Sequence, residues 1–345
     1  MAAFETSIQE AIASQEIPGC VLVSTSRDGT FSYTKAFGAN SMKSESATPL
    51  ALDSIMWVAS CTKLMTSICA MQLVERGLIN LDESVYRHIP ELEHLPVLTG
   101  FEEGSGKPIE EKSTQPITLR MLLTHSSGLT YDAIHPKTLA WLAYHERSPN
   151  SSGKLIERYS APLIFEPGSS WAYGPSIDYA GLLIERVAGI SLEAYMRQNL
   201  WEPLGIKDMT FHLHSRPDLR ARMADMSLRD ETGKVRWSGA PMTYQDGEGK
   251  EVEDCFGGQG CFLSAGEYLK VLRAVLSTEE DERVLKKDTL EMFFKEKWGT
   301  GSKEALNMML QDDFVRVSPF ELLAQCANEF PADEQRDGRD GQVYH

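Results

Sequence analysis

The stretch that decides the fold runs Trp57-Val-Ala-Ser60-Cys-Thr-Lys63-Leu-Met-Thr-Ser-Ile-Cys-Ala-Met-Gln-Leu-Val-Glu75-Arg-Gly77. Apolar side chains occupy almost every face of the helix that this pattern predicts, which is typical of a helix buried on all sides. Gly77 provides a natural stop at the carboxyl end, because glycine readily adopts the left-handed conformation that ends many helices. The stretch therefore predicts a central core helix.

Ser60 and Lys63 are three residues apart, so a helix places them on one face, one turn from each other. Lys63 is the only charged residue between Ser60 and Val74. Because an ammonium among apolar neighbours is costly to desolvate, we expect a neutral amine that can accept a proton. The pair predicts a serine nucleophile with a lysine base, and the helix start would favour an oxyanion there. The alternative is that Ser60 caps the helix and Lys63 extends to solvent.

A second stretch, Ile117-Thr-Leu-Arg120-Met-Leu-Leu-Thr124-His125-Ser-Ser-Gly128-Leu129, predicts a short amphipathic helix that ends in a polar turn. His125 resembles a general base in its position beside two serines. A histidine at the carboxyl end of a helix more commonly interacts with the free carbonyl groups there. We therefore expect His125 to cap the helix.

A third stretch, Trp171-Ala-Tyr173-Gly174-Pro175-Ser176, precedes a helix predicted from Ile177 to Ala188. Tyr173 lies on the loop that enters this helix, where a phenol can act as an acid and a base. The alternative is a tyrosine that simply packs between loops. Trp57, Trp171, Tyr131 and Trp237 are expected to line an apolar pocket or to pack as ordinary core and loop residues.

The composition excludes other classes of protein. The 345 residues include 50 acidic and 34 basic ones, for a formal net charge of −16, which would repel nucleic acid. No apolar run reaches the roughly 18 to 20 residues that span a bilayer, and the first residues lack the pattern of an export signal. We therefore predict a cytoplasmic protein without a nucleic-acid or membrane partner.

The metal-binding and redox signals are weak. The six cysteines form no Cys-x-x-Cys pair, and we expect reduced thiols. His212 and His214 form an HxH pair on a predicted strand, where alternation would place both rings on one face. No further ligand lies near them in the sequence, so no metal and no cofactor are expected. Walker, dinucleotide, HExxH and GxSxG patterns are absent.

The order of the predicted elements indicates two lobes. The chain begins with a helix from Phe4 to Ala13 and two strands joined by an Asp28-Gly29 turn, whereas helical signals dominate afterwards. A glycine-rich passage then precedes a helix from Ala265 to Leu276. We predict an α/β lobe from residues 1–55 and 255–345 and a mostly helical lobe from residues 56–254.

With these stretches in order, the chain resembles the serine β-lactamase and penicillin-binding-protein-like family of class C type, which includes esterases and acyltransferases. Within it the likeness is greatest to the statin-pathway acyltransferase (transesterase) group. The segments that carry the resemblance are Ile17-Pro-Gly19, Ala59-Ser-Cys-Thr-Lys63-Leu, Glu75-Arg-Gly-Leu, Leu81-Asp-Glu, Pro96-Val-Leu-Thr-Gly-Phe101, Ile117-Thr-Leu-Arg, Leu122-Leu-Thr-His-Ser-Ser-Gly-Leu129, Tyr173-Gly174, Pro203-Leu-Gly-Ile206, Asp208-Met-Thr-Phe211 and Cys255-Phe-Gly-Gly-Gln-Gly260.

The resemblance implies an α+β fold of the β-lactamase/transpeptidase type, with an antiparallel sheet flanked by helices and a mostly helical lobe. It implies Ser60 as nucleophile, Lys63 as its base and Tyr173 as the proton relay. The implied reaction moves an acyl group from an ester or thioester donor, with an acyl-carrier protein as one candidate source, to an alcohol in secondary metabolism. Water as acceptor would make the chain an esterase.

Two departures from the family pattern qualify this prediction. β-Lactamases usually carry Tyr-x-Asn at the second motif, whereas Pro175 occupies the third position here, so antibiotic hydrolysis is not expected. The third motif, Lys-Thr-Gly or an equivalent on a C-terminal strand, has only Gly299-Thr300-Gly301 as a near match, which we expect to be a plain turn. We therefore expect missing C-terminal strands and a disordered tail from 331–345, and an inactive, truncated family member is the alternative.

Overall fold

The protein is described by a computed structural model, which covers residues 2–43, 47–238, 242, 244–278, 280–295 and 299–311. The α-helices in these residues are α1 (Ala2–Ala13), α2 (Thr62–Glu75), α3 (Leu119–Leu123), α4 (Pro136–Tyr144), α5 (Leu155–Arg158), α6 (Ser176–Ala188), α7 (Leu192–Met196), α8 (Pro217–Arg220), α9 (Ala265–Leu276), α10 (Lys287–Phe294) and α11 (Thr300–Gln311). The strands are β1 (Gly19–Thr25), β2 (Ser32–Gly38), β3 (Met56–Trp57), β4 (Val97–Phe101), β5 (Pro108–Glu111), β6 (Met209–Thr210), β7 (Ser227–Arg229), β8 (Val235–Trp237) and β9 (Phe262–Leu263).

The named strands pair in an antiparallel manner throughout the described chain. β1 and β2 form a hairpin in register from Gly19 opposite Gly38 to Thr25 opposite Ser32, and α1 and α9 pack against it. β9 lies between β3 and β6, and two further hairpins join β4 to β5 and β7 to β8. Antiparallel strands flanked by helices confirm the predicted α+β class, whereas the boundaries of the two lobes stay a prediction.

Helix α2 lies at the centre of the main hydrophobic core, as its sequence predicted. Met65, Ile68 and Leu73 are at most 1% exposed, although they lie on different faces of the helix. Helices α6, α7 and α10 surround α2. The helix ends before Gly77, whose φ of 66° has the left-handed value expected of a helix stop.

Two local predictions are wrong. His212 and His214 do not lie on a strand, because β6 ends at Thr210 and Leu213–Ser215 forms a 3-10 turn. Gly299-Thr300-Gly301 is not a plain turn, because α11 begins at Thr300. The start of α11 contacts the loop before Tyr173, and the Ser302 hydroxyl donates to the Ser170 carbonyl over 2.9 Å.

Three further expectations concern the cysteines, the tail and membrane-spanning helices. The five cysteines in the described residues have free thiols, whereas Cys326 lies outside that part of the chain. The tail from 331–345 also lies outside the described residues. Across the described ranges, no helix is long and apolar enough to cross a membrane.

Truncation of a core side chain in α2 tests its central position. We expect Ile68→Ala to lower the free energy of unfolding by about 2–5 kcal/mol, because it leaves a cavity where no solvent reaches. Leu276→Ala, at an exposed position of α9, serves as the control and should change stability far less. Urea unfolding of the three proteins measures the difference; equal losses in both variants would contradict a central α2.

Candidate active site

Ser60 lies in a 3-10 turn, Ala59–Cys61, that leads directly into α2. The preceding residue, Ala59, has a φ of 43°, a left-handed value that costs a non-glycine residue on the order of 1 kcal/mol. Because Ser60 lies in the first turn, its N–H has no acceptor within the helix. The hydroxyl and the N–H of Ser60 are thus presented together at the positive end of the helix dipole.

The Lys63 amine brings the three predicted site residues together. Its Nζ lies 3.0 Å from the Ser60 hydroxyl oxygen and 2.7 Å from the Tyr173 phenol oxygen. The two hydroxyl oxygens are 2.5 Å apart. Lys63 is only 4% exposed, which contradicts the alternative in which it extends to solvent.

The surroundings of the amine differ from those predicted. Apolar side chains cover the other faces of α2, but Nζ itself faces polar groups, namely the hydroxyls of Ser60, Tyr131 and Tyr173 and the carbonyl of Gly258. The prediction considered only the helix and could not include the three loops, with Tyr131, Tyr173 and Gly258, that cover its polar face. The amine is therefore shielded from bulk water, but it lies within hydrogen-bond distance of four polar groups.

These contacts allow a proton to move within the cluster. The Gly258 carbonyl, 2.8 Å from Nζ, can only accept, so one N–H of Lys63 is directed there. Hydroxyls can donate as well as accept, so the Ser60 and Tyr173 hydroxyls can each give a proton to a neutral amine. The arrangement can deprotonate Ser60 without moving any heavy atom.

Asp178 holds two of the groups that contact the Lys63 amine, and this role was not predicted from the sequence. Its carboxylate accepts from the Tyr131 hydroxyl and from the Gly258 N–H, each over 2.9 Å. A side chain at position 258 would place its Cβ 2.3 Å from the carboxylate, so only glycine fits. Burial raises the pKa of the Asp178 carboxyl, although nearby Lys63 acts in the opposite direction. An acidic residue in the first turn of the apolar helix α6 was the available signal.

His125 caps α3, but it does so through its backbone rather than its ring. Its φ is 55°, its N–H donates to the Leu122 carbonyl, and the next N–H, of Ser126, donates to the Met121 carbonyl. These two bonds form a Schellman motif with histidine at the position that glycine usually occupies. The ring packs 5.0 Å from the Tyr173 ring, centroid to centroid. Burial lowers the pKa of His125 to about 3, and the charge of Lys63 acts in the same direction.

Three of the four aromatic residues expected in a pocket lie near the cluster. Trp57 precedes Ser60 by three residues and donates to the Gln259 carbonyl, and Tyr131 contacts Lys63 directly. The Trp171 ring lies 6.4 Å from the Tyr173 ring. Trp237 is 43% exposed on β8 with the Lys43 ammonium over its ring, so nothing associates it with the cluster.

The antiparallel strands flanked by helices and the Ser-x-x-Lys pair at the start of a buried helix define the class of serine β-lactamase-like enzymes. The family model described as Beta-lactamase matches residues 4–311. The chain belongs to this family.

Several similar proteins are named as acyltransferases or esterases. The chain is 40% identical over 296 residues to monacolin J acid methylbutanoyltransferase of Aspergillus terreus, covering 84% of this chain and 70% of that protein. It is 38% identical over 300 residues to lovastatin esterase of Penicillium rubens, covering 86% and 73%. Unliganded simvastatin synthase (LovD) from Aspergillus terreus matches in structure with a TM-score of 0.79 at 37% identity, covering 90% of this chain and 76% of that chain. These matches confirm the predicted family and fold.

The pH dependence of stability tests the burial of His125. The unfolded residue takes up a proton near pH 6.5 and the folded residue only near pH 3, so its contribution to stability falls as the pH drops between those values. We expect His125→Asn, which tolerates the positive φ, to be less stable at pH 7.5 and to approach the parent protein as the pH falls to about 4. Urea unfolding across this range measures the gap; a constant gap would contradict a buried neutral ring.

Proposed function

We propose that the chain is a serine acyltransferase that moves an acyl group from a thioester or ester donor to an alcohol in secondary metabolism. The proposal rests on one observation: the Ser60 hydroxyl, the Lys63 amine and the Tyr173 hydroxyl all lie within hydrogen-bond distance of one another. A nucleophile, a buried amine and a phenol in direct contact provide the groups that acyl transfer through a covalent intermediate requires. The names of the relatives support the same reaction.

In the first half-reaction, the Ser60 oxygen attacks the carbonyl carbon of the donor while Lys63 takes the hydroxyl proton. The N–H of Ser60 donates to the oxyanion that forms. Collapse of this intermediate breaks the bond to the thiol or alcohol of the donor, which receives a proton through Tyr173. The product is an ester of Ser60.

In the second half-reaction, the acceptor alcohol loses its proton to the cluster through Tyr173 and attacks the acyl-enzyme. The bond between the acyl group and Ser60 then breaks, and the Ser60 oxygen recovers a proton from Lys63. The phenol thus acts once as an acid and once as a base, which requires it to contact both the amine and the serine. The acyl group leaves as the ester of the acceptor.

The proposal also includes the identity of the acyl donor and acceptor and the location of the protein in the cell. The name monacolin J acid methylbutanoyltransferase suggests a short branched acyl group and an alcohol that carries a carboxylate as the first pair to test. Delivery on an acyl-carrier protein is proposed for the case of a thioester donor, because carrier proteins hold acyl groups as thioesters. The cytoplasmic location stays a prediction.

An esterase is the second candidate, favoured by the similarity to lovastatin esterase. The same three residues would form the acyl-enzyme, and water would replace the alcohol in the second half-reaction. The inactive family member considered above predicts no acyl-enzyme at all.

A product assay separates these candidates. The protein is incubated with a methylbutanoyl thioester, alone and with monacolin J acid, and the products are identified by mass spectrometry. We expect the acceptor ester to form faster than the free acid, and Ser60→Ala or Lys63→Met to lower the rate by about a thousandfold or more. Lys287→Met, at an exposed position of α10, should retain the activity.

Each alternative has its own outcome. Free acid as the main product, with every alcohol tried and with both free and carrier-bound thioesters, would favour the esterase. The absence of both product and Ser60 adduct in a folded protein would contradict catalysis.

A further inference from the structure

His212, His214 and Glu251 form a cluster of metal-ligating side chains apart from the catalytic groups. One ring nitrogen of each histidine and one carboxylate oxygen of Glu251 lie within 4.8 Å of one another. The sequence contained only the HxH pair, because Glu251 follows His214 by 37 residues. The fold therefore supplies the third donor that was not apparent from the sequence.

The backbone holds the two histidines in place. Leu213, between them, is only 5% exposed and packs in a small core with Ile55, Leu219 and Phe262. Nε2 of His212 lies 3.4 Å from the Cys255 thiol. The His212 N–H donates to the Thr210 hydroxyl over 3.0 Å. The two rings lie 5.8 Å apart, centroid to centroid.

The carboxylate of Glu251 is held by the backbone and the ring of His214. The backbone N–H of His214 donates to it, and Nδ1 of His214 lies 2.7 Å from Oε1. Glu251 also pairs with Gln245 in an isolated β-bridge. Glu251 thus lies at the end of the segment 244–251. The contacts within the cluster connect this segment to the residues that follow β6.

The chemistry of the donors selects a class of ion. Two imidazoles and one carboxylate form the donor set of open zinc sites, in which water completes the tetrahedron. Zn–N bonds of about 2.0–2.1 Å place tetrahedral ligand atoms about 3.3 Å apart, so the distances between the donors need to change by at most about 1.5 Å. Without an ion, the pair of His214 and Glu251 contributes little to stability, since the His214 side chain is 61% exposed and solvent screens the interaction.

We propose that His212, His214 and Glu251 bind one divalent cation, with Zn²⁺ preferred over Mg²⁺ and Ca²⁺. The ion fastens the segment 244–251 to the end of β6. Tyr244, on this segment, packs 5.2 Å from the Trp57 ring, three residues before Ser60, so the ion also steadies one wall near the catalytic cluster. The proposal does not depend on the proposed acyl transfer.

Titration of chelator-treated protein with zinc chloride, followed by calorimetry, tests the site. We expect one ion per chain, a higher melting temperature with Zn²⁺, and visible absorption typical of tetrahedral coordination when Co²⁺ is used instead. His212→Gln, His214→Gln and Glu251→Gln should each weaken binding by about tenfold or more. Glu253→Gln, an exposed acid two residues from the cluster, is the matched control and should bind as the parent does.

Two outcomes would overturn the proposal: no saturable Zn²⁺ binding, or binding that the three substitutions leave unchanged. Circular dichroism shows whether each variant folds. If a variant does not fold, the unaltered protein still decides the matter, because Zn²⁺ must protect His212 and His214, but not the exposed His94, from modification by diethyl pyrocarbonate. Equal modification of all three with and without Zn²⁺ would contradict the site.

Discussion

The hydrogen bond from the Lys63 amine to the Gly258 carbonyl is the contact on which the rest of the site depends. It joins the start of α2 to a loop almost 200 residues further along the chain. Asp178 fixes the same loop through the Gly258 N–H and also holds Tyr131, so one buried carboxylate orients two partners of the amine. Because the carbonyl can only accept, one N–H of the amine must point toward it. The other hydrogen-bonding positions of the nitrogen are then available to the hydroxyls of Ser60 and Tyr173.

This arrangement explains why the core and the site occupy the same helix. The apolar faces of α2 are buried among α6, α7 and α10, and this packing keeps the first turn rigid at the place where Ser60 is presented. The unusual φ of Ala59 is tolerated there because the surrounding core fixes the backbone. The stability of the core and the geometry of the candidate site are therefore coupled through the helix, and a defect in its packing would also displace Ser60.

The sequence predicted the parts of the structure that depend on local patterns. The position of α2, the hairpin and the α6 helix followed from periodicity and helix stops, and Ser60, Lys63 and Tyr173 followed from spacing and family resemblance. Contacts between distant segments could not be predicted in this way. Asp178 and Gly258 meet only in the folded chain, as do Glu251 and the HxH pair, and the polar surroundings of Lys63 come from loops that the helix pattern does not contain. His125 shows a third case, since its position was predicted but not its backbone conformation.

The central claim is that Ser60, Lys63 and Tyr173 act as one proton-sharing unit. The most direct measurement is the rate at which a fluorophosphonate probe labels Ser60 in Lys63→Met, in Tyr173→Phe and in the double variant. Residues that act as a unit have non-additive effects, so we expect each single change to slow labelling strongly and the double variant to be within about threefold of the slower single one. Effects that multiply in the double variant, or labelling unaffected by Lys63→Met, would contradict the account.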